Sequence, residues 1–294
     1  MIVSHKYNPF LIENWILKVA VVMMAENQFS FQEVQVNYYH GGKGFPLLLV
    51  HGSGPGASSL GNWRAVLEPL ARHFEVFAMD LVGFGKSGRK PAPPYFDFDL
   101  WVAQTRAMLD HIGDRPVGLI GHSLSGAIAL TIAAANPQIK AVMTTGTMGA
   151  PFEATDETRR TWRCPRNRQE LVAALSGLIQ DTSVIDESYL AAREPVIFAP
   201  GYADYFDDMF QGDPSQYIQA AVLSDDTLRA IDCPVLLLHG RDDVAFPSAS
   251  SVQIAQRLAR ADLMLLSHCS HSVAVERSDT FLALADAHFG TLAH

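Results

Sequence analysis

The 294-residue chain is 48% hydrophobic and 18% charged, the balance of a soluble protein with a sizeable core and not of a disordered chain. A formal net charge of −9 argues against nucleic acid or an anionic membrane as the main partner. Three cysteines, Cys164, Cys233 and Cys269, form no metal-ligand spacing and suit a reducing cytoplasm better than a disulfide-built secreted domain.

Near the start, Leu11 to Met24 is apolar but broken by Glu13, Asn14 and Lys18, too short to span a bilayer and too interrupted for a signal peptide. It reads as an N-terminal extension over residues 1–28 with no export role. Phe31–Tyr39 alternates apolar and polar residues before Gly41-Gly42-Lys43-Gly44, as a first antiparallel strand or hairpin would. Pro46–His51, Phe74–Asp80, Pro116–Gly121, Ala141–Thr145, Pro234–Gly240 and Asp262–Ser267 read as strands, several apolar throughout, as strands covered on both faces of a parallel sheet are. Helical patterns at Trp63–His73, Leu100–Ile112, Leu124–Asn136, Pro247–Ala261 and Asp279–Phe289 alternate with them. This βα rhythm predicts an α/β fold with a mostly parallel sheet flanked by helices. Between 151 and 230 the rhythm stops and the chain turns polar and helical, which predicts a helical lid over the carboxyl ends of the strands. The core is then 29–150 with 231–294. Trp162, Phe198, Tyr202, Phe206 and Met209 either line a pocket under that lid or pack it onto the core.

Three motifs carry chemistry. In Gly121-His122-Ser123-Leu124-Ser125-Gly126 a buried strand meets an Ala-rich helix, the setting of a strained turn that exposes a nucleophilic serine. The usual G-x-S-x-G is imperfect here, with Ser125 at the fifth position, and Ser123 also suits an ordinary helix cap. Upstream, Leu49-Val50-His51-Gly52-Ser53-Gly54-Pro55-Gly56 is a strand running into a Gly-rich loop. Such a loop supplies one oxyanion N–H, here Ser53 with Gly54 beside it, and the residue after the nucleophile, Leu124, supplies the other. No phosphate-loop or dinucleotide fingerprint is present. Downstream, Gly240-Arg241-Asp242-Asp243 and Ser267-His268-Cys269-Ser270-His271 offer an acid and a base in the order Ser, Asp, His. Chemistry alone leaves Asp242 or Asp243 to orient His268 or His271.

With those residues in place, the chain resembles the α/β-hydrolases, and among them the meta-cleavage product hydrolases. The resemblance is carried by His51-Gly52-Ser53-Gly54-Pro55-Gly56-Ala57 with downstream Asn62-Trp63, and by Asp80-Leu81-Val82-Gly83-Phe84-Gly85-Lys86-Ser87. It covers the core from about Phe31 to the end and is weak across the lid, which that fold inserts after strand 6. It implies cofactor-free hydrolysis of a C–C bond in a vinylogous 1,5-diketone formed by ring opening of a catechol. The implied products are a 2-hydroxypenta-2,4-dienoate and a carboxylic acid. The family pattern assigns the acid to the second Asp of G-R-D-D, Asp243, and the base to the histidine twenty-eight positions on, His271. Asn62 matches an asparagine at the dienoate end of the substrate, and Arg193 looks like the lid arginine that binds its carboxylate. Two positions depart from the pattern: His122 replaces the usual Asn before the nucleophile, and Ser272 the usual Trp after the histidine. Both border the dienoate. The resemblance also implies a cytoplasmic homo-oligomer, dimeric or larger, acting on a small molecule without metal, nucleic acid or membrane. The same triad serves a carboxylesterase or an enol-lactone or amide hydrolase, and the fold can also act as a ligand receptor without turnover.

Overall fold

The computed structural model describes residues 22–292. Most of the N-terminal extension therefore lies outside the described residues. Eight strands form one sheet: β1 (Ala25–Phe31), β2 (Val34–Gly42), β3 (Pro46–Val50), β4 (Glu75–Met79), β5 (Val117–His122), β6 (Ile139–Thr145), β7 (Val235–Gly240) and β8 (Ala261–Leu266), in the order β1-β2-β4-β3-β5-β6-β7-β8. From β4 onward along that order every pairing is parallel; β1–β2 and β2–β4 are antiparallel. Strands β3, β5 and β7 are buried along their whole length, as the unbroken apolar runs require.

The N-terminal region is the hairpin of the two alternatives, with its turn at 32–33 and not at the Gly41–Gly44 run. Phe31–Tyr39 is not one strand but straddles a tight hairpin turn, with Phe31 paired to Val34 and Gln32 at φ 51°. The boundary of the extension moves with it, because residues 25–28 already belong to β1. The Gly41-Gly42 pair lies inside β2 and pairs with Val76 and Glu75 of β4.

Helices α1 (Ser59–Ala71), α2 (Phe98–Ile112) and α3 (Leu124–Ala135) connect the first parallel strands. Between β6 and β7 lie α4 (Asp156–Thr161), α5 (Arg168–Ser176), α6 (Glu187–Ala191), α7 (Glu194–Ile197), α8 (Tyr202–Met209), α9 (Ser215–Ala220) and α10 (Asp225–Arg229), with no described strand among them. The chain closes with α11 (Ala249–Ala255), α12 (Val273–Glu276) and α13 (Ser278–Phe289). The predicted Pro247–Ala261 helix is thus shorter at both ends. Two apolar clusters cover the sheet. One joins Leu48, Leu119 and Trp101 to the insertion's Phe206 and Tyr189, and the other packs Leu49, Ile120 and Leu238 under Trp63, Phe281 and Phe289. The insertion therefore shares a core with the sheet.

The Asp80–Ser87 loop is built by one buried carboxylate. Asp80 accepts from the Ser59 and Lys86 N–H groups and from Asn37 Nδ2, and a Cβ at Gly85 would collide with it. This explains the second stretch of the sequence resemblance as scaffolding.

Candidate active site

At the end of β5 the backbone of Ser123 adopts φ 57° and ψ −121°, a region that costs a non-glycine residue about 1–3 kcal/mol. Surrounding bonds hold it there: Ser123 N–H donates to Thr145 O at 2.9 Å, and Ser123 O accepts from Gly126 and Met148 N–H. Its side chain makes no capping bond to α3, so the ordinary helix-cap alternative fails. Small residues are needed at two neighbouring positions. A Cβ at Gly121 would lie 2.2 Å from Ser125 O, and one at Gly126 would lie 2.0 Å from Thr147 Oγ1. The glycine demanded by close packing is therefore Gly126. Ser125, at the position usually occupied by glycine, is buried and its hydroxyl donates to His51 O, tying the turn to the end of β3.

The Gly-rich loop comes against the same point, since a Cβ at Gly52 would sit 3.0 Å from Ser123 Cβ. His51 orients this loop. The Leu81 N–H donates to His51 Nε2 at 3.0 Å, which places the proton on Nδ1, and Nδ1 donates to Gly52 O at 2.6 Å. In a trans peptide the carbonyl and the following N–H point in opposite directions. Pulling Gly52 O toward the imidazole therefore turns the Ser53 N–H the other way. Neither this N–H nor that of Leu124, the first residue of α3, donates to a described protein acceptor. Trp162 Nε1 donates to Ser53 Oγ at 3.3 Å.

Of the possible acid–histidine pairings, the structure brings Asp243 and His271 together. Asp243 is buried, and its Oδ2 lies 2.6 Å from His271 Nδ1, while its Oδ1 accepts from the Ala245 and Phe246 N–H groups. Although burial opposes ionisation, the facing His271 and His239 hold its carboxyl well below the usual range. Asp242 instead accepts from Cys269 N–H, and His268 is exposed. His271 is buried between Phe246, stacked on it at 4.4 Å between ring centres, and His122 at 4.7 Å. His122 Nδ1 faces Thr145 O and Oγ1 at 3.1 and 3.0 Å, so that nitrogen carries the proton; burial and the neighbouring His271 keep the ring neutral.

Ser123 and His271 line a narrow cavity of ≈ 20 Å³ together with Ser53, Gly54, Asn62, His122, Arg193 and Ser272, so it gathers the predicted substrate contacts. From the insertion it takes Thr161, Leu175, Leu178, Tyr189 and Arg193. The aromatic candidates do not line it: Tyr202, Phe206 and Met209 are buried packing, and Phe198 is 40% exposed.

Arg193, 5% exposed, is caged by uncharged oxygens. Its Nη1 donates to Pro55 O, and its Nη2 to Gly61 O and to Tyr189 Oη, at 2.8–2.9 Å. The guanidinium lies over the Tyr189 ring at 4.7 Å, and its Nε has no protein acceptor. No described carboxylate forms an ion pair with it. Asn62 Oδ1 is likewise buried and unpartnered. No group of three or more potential metal ligands occurs among the described residues, and no described helix is long and apolar enough to cross a membrane.

Sequence reasoning missed three further groups. Buried His239 reaches Asp243 Oδ2 at 3.2 Å. Leu178 O accepts from His271 and Ser272 N–H. Glu276 accepts from Ser270, Gln180 and Asp181 N–H. The pattern of a histidine just before G-R-D-D could have flagged His239; main-chain contacts leave no such pattern.

Residues 46–278 match the model of the alpha/beta hydrolase fold. The chain is 31% identical to a 2-hydroxy-6-oxo-2,4-heptadienoate hydrolase of Pseudomonas putida over 86% of this chain and 92% of that protein. It is 30% identical to a 2-hydroxymuconate semialdehyde hydrolase of a Pseudomonas species, over 85% and 89% respectively. A meta-cleavage product hydrolase from Pseudomonas fluorescens superposes with a TM-score of 0.85 at 27% identity, covering 90% of this chain and 98% of that one. The chain therefore belongs to the α/β-hydrolases, within the group of meta-cleavage product hydrolases.

Proposed function

We propose that the protein hydrolyses the C–C bond next to the 6-oxo group of a 2-hydroxy-6-oxo-hexa-2,4-dienoate-type compound. The observation that carries this reading is Arg193: a buried guanidinium with no carboxylate partner, lining the same narrow cavity as Ser123. Such a group favours an anionic substrate, and charge-assisted bonds to a carboxylate suit its planar fork. The relatives named above supply the class of substrate.

In this reading Ser123 is the nucleophile, His271 the base and Asp243 the acid that fixes the His271 tautomer. Arg193 and Asn62 hold the carboxylate end, bordered by Gly54, His122 and Ser272. The dienol first becomes a ketone as its 2-hydroxyl proton is lost and C5 gains one. Ser123 Oγ, or water it helps to activate, then adds to the C6 carbonyl and its proton passes to His271. The oxyanion lies between the Ser53 and Leu124 N–H groups, each worth about 3–4 kcal/mol in comparable sites. When the C5–C6 bond breaks, its electron pair is taken up by the 2-oxo system, and the proton held on His271 is returned to that dienolate, giving the 2-hydroxypenta-2,4-dienoate. On the serine route water then releases the acyl group as the carboxylic acid.

Helices α4–α10 act as the lid, with residues 151–230 as its span, a reading supported by the insertion's contribution to the cavity walls. The reading includes a cytoplasmic homo-oligomer, supported by exposed Met264 and Leu265 on edge strand β8. The test is a comparison of purified protein on a yellow 2-hydroxy-6-oxo-dienoate and on short p-nitrophenyl esters. Loss of the yellow absorbance, abolished in Ser123→Ala, is the expected result. Ester cleavage without any dienoate turnover makes the protein a carboxylesterase instead.

A further inference from the structure

We infer that His239 and Ser251 extend the triad, as positioning residues that hold both the carboxylate and the aromatic ring against His271. The inference rests on the triad assigned above. His239, at the end of β7, is fully buried. Its Nε2 lies 2.9 Å from Phe246 O and 3.2 Å from Asp243 Oδ2, and its Nδ1 lies 2.6 Å from Ser251 Oγ.

These contacts fix the tautomer. A carbonyl oxygen only accepts, so Nε2 carries the proton and shares it between Phe246 O and Asp243 Oδ2. Nδ1 is then the acceptor, and the Ser251 hydroxyl donates to it. Were the proton on Nδ1, the Nε2 lone pair would face two acceptors in a buried site, so these acceptors disfavour that state, and the Ser251 donation to Nδ1 complements the one they select. The chain of donors runs Ser251 to His239 to Asp243.

Two consequences reach His271. Asp243 Oδ2 is the oxygen that faces His271 Nδ1 at 2.6 Å, so the His239 N–H pins the acceptor that sets the direction of the base. The residue whose carbonyl His239 holds, Phe246, is also the one whose ring stacks on His271. One imidazole thus constrains the base from its acid side and from its flat face. His239 touches neither Ser123 nor the cavity lining. Its effect is exerted through the geometry of His271.

The test uses the whole protein and an alkyl fluorophosphonate, so no substrate need be known. Serine Oγ bonds to phosphorus, fluoride leaves, and the serine proton passes to His271, so the labelling rate reports how well the base is set. Relative to wild type, His239→Leu is expected to slow labelling about ten- to a hundredfold, less than the 10²–10⁴ of removing a general base outright. Its acid limb is expected to move to higher pH, because Asp243 Oδ2 loses a competing donor and stabilises the His271 imidazolium more strongly. Neutral His122 and, across the cavity, Arg193 face His271, and His239, Glu276 and Cys269 lie around Asp243. His239→Gln, which keeps an N–H donor, is expected to recover most of the rate, and Ser251→Ala to shift rate and limb in the same direction by less.

A merely structural role would lower melting temperature and the fraction of protein that labels, leaving rate and limb unchanged in the fraction that does. That outcome in His239→Leu, or in Ser251→Ala if the leucine variant does not fold, overturns the proposal alone. Absence of Ser123-dependent labelling in wild type overturns the triad assignment, and this proposal with it.

Discussion

The carbonyl oxygen of Leu178, on the helical insertion, accepts the backbone N–H of His271 at 3.1 Å. The insertion therefore holds the segment that carries His271. Glu276 reinforces the joint: its Oε1 accepts from Ser270 N–H at 2.9 Å, and its Oε2 from Gln180 and Asp181 N–H at 2.6 and 3.1 Å. In Glu276→Gln one of these oxygens becomes an NH2 group facing donors. Leaving such groups unpaired costs about 1–3 kcal/mol. A lower melting temperature and faster amide exchange at 178–181 and 270–272 are expected. Exchange unchanged in both segments would show that Glu276 does not couple them.

Arg193 should divide substrates by charge. Charge-assisted hydrogen bonds contribute about 1.5–3 kcal/mol, so Arg193→Gln should lower kcat/KM on a carboxylate-bearing dienoate by about 10- to 150-fold. A neutral p-nitrophenyl ester has nothing for the guanidinium to bind and should lose little. Arg193→Lys should recover only part of the difference, because a single ammonium cannot reproduce the fork that reaches Pro55 O and Gly61 O. Equal losses on both substrates would mean that Arg193 supports only the fold.

His122 makes acid sensitivity testable. Burial lowers its folded pKa well below the ordinary value, so the folded protein holds it neutral where the unfolded chain protonates it below about pH 6.5. The unfolded state then binds more protons, and stability falls as pH drops through that region. One such imidazole removes about 1.4 kcal/mol by pH 5.5. Replacing it in His122→Asn should shrink the loss of melting temperature between pH 7.5 and 5.5. Buried His51 and half-buried His288 are also held below their ordinary values and are common to both proteins, so their share cancels. Equal acid sensitivity would show that His122 is charged in the fold.

The central strands were legible because burial on both faces leaves continuous apolar runs, as in β3, β5 and β7. Ser123 was legible as a strand–turn–helix junction, and its conformation came from elsewhere in the chain, through Thr145 and Met148. Asp243 and Asp242 are chemically alike and adjacent, so apart from the family pattern, burial and the contact with His271 are what separate them. The β1–β2 turn was missed because Gln32 carries a positive φ without the glycine or asparagine that announces one. For Tyr202, Phe206 and Met209 the packing alternative is the one found: all three are buried in the core, as amphipathic stripes usually are.

The cavity sets the last expectation, on the group attached to the 6-oxo carbon. At ≈ 20 Å³ it has room for little more than one water molecule, and its apolar walls include Leu175 and Leu178. A methyl-bearing dienoate should therefore be turned over faster than a phenyl-bearing one. Leu178 also supplies the carbonyl that holds His271, whereas Leu175 offers only its side chain to the wall, so Leu175 is the position to shorten. Leu175→Ala should raise the phenyl-to-methyl ratio of kcat/KM by about 10- to 200-fold, the range that small changes in apolar pockets produce. Because Leu175 is only 1% exposed, the change should also cost about 2–5 kcal/mol of stability. Measuring the ratio on protein shown to be folded at the assay temperature separates the two effects. A ratio that does not rise would place the phenyl group along another wall of the cavity.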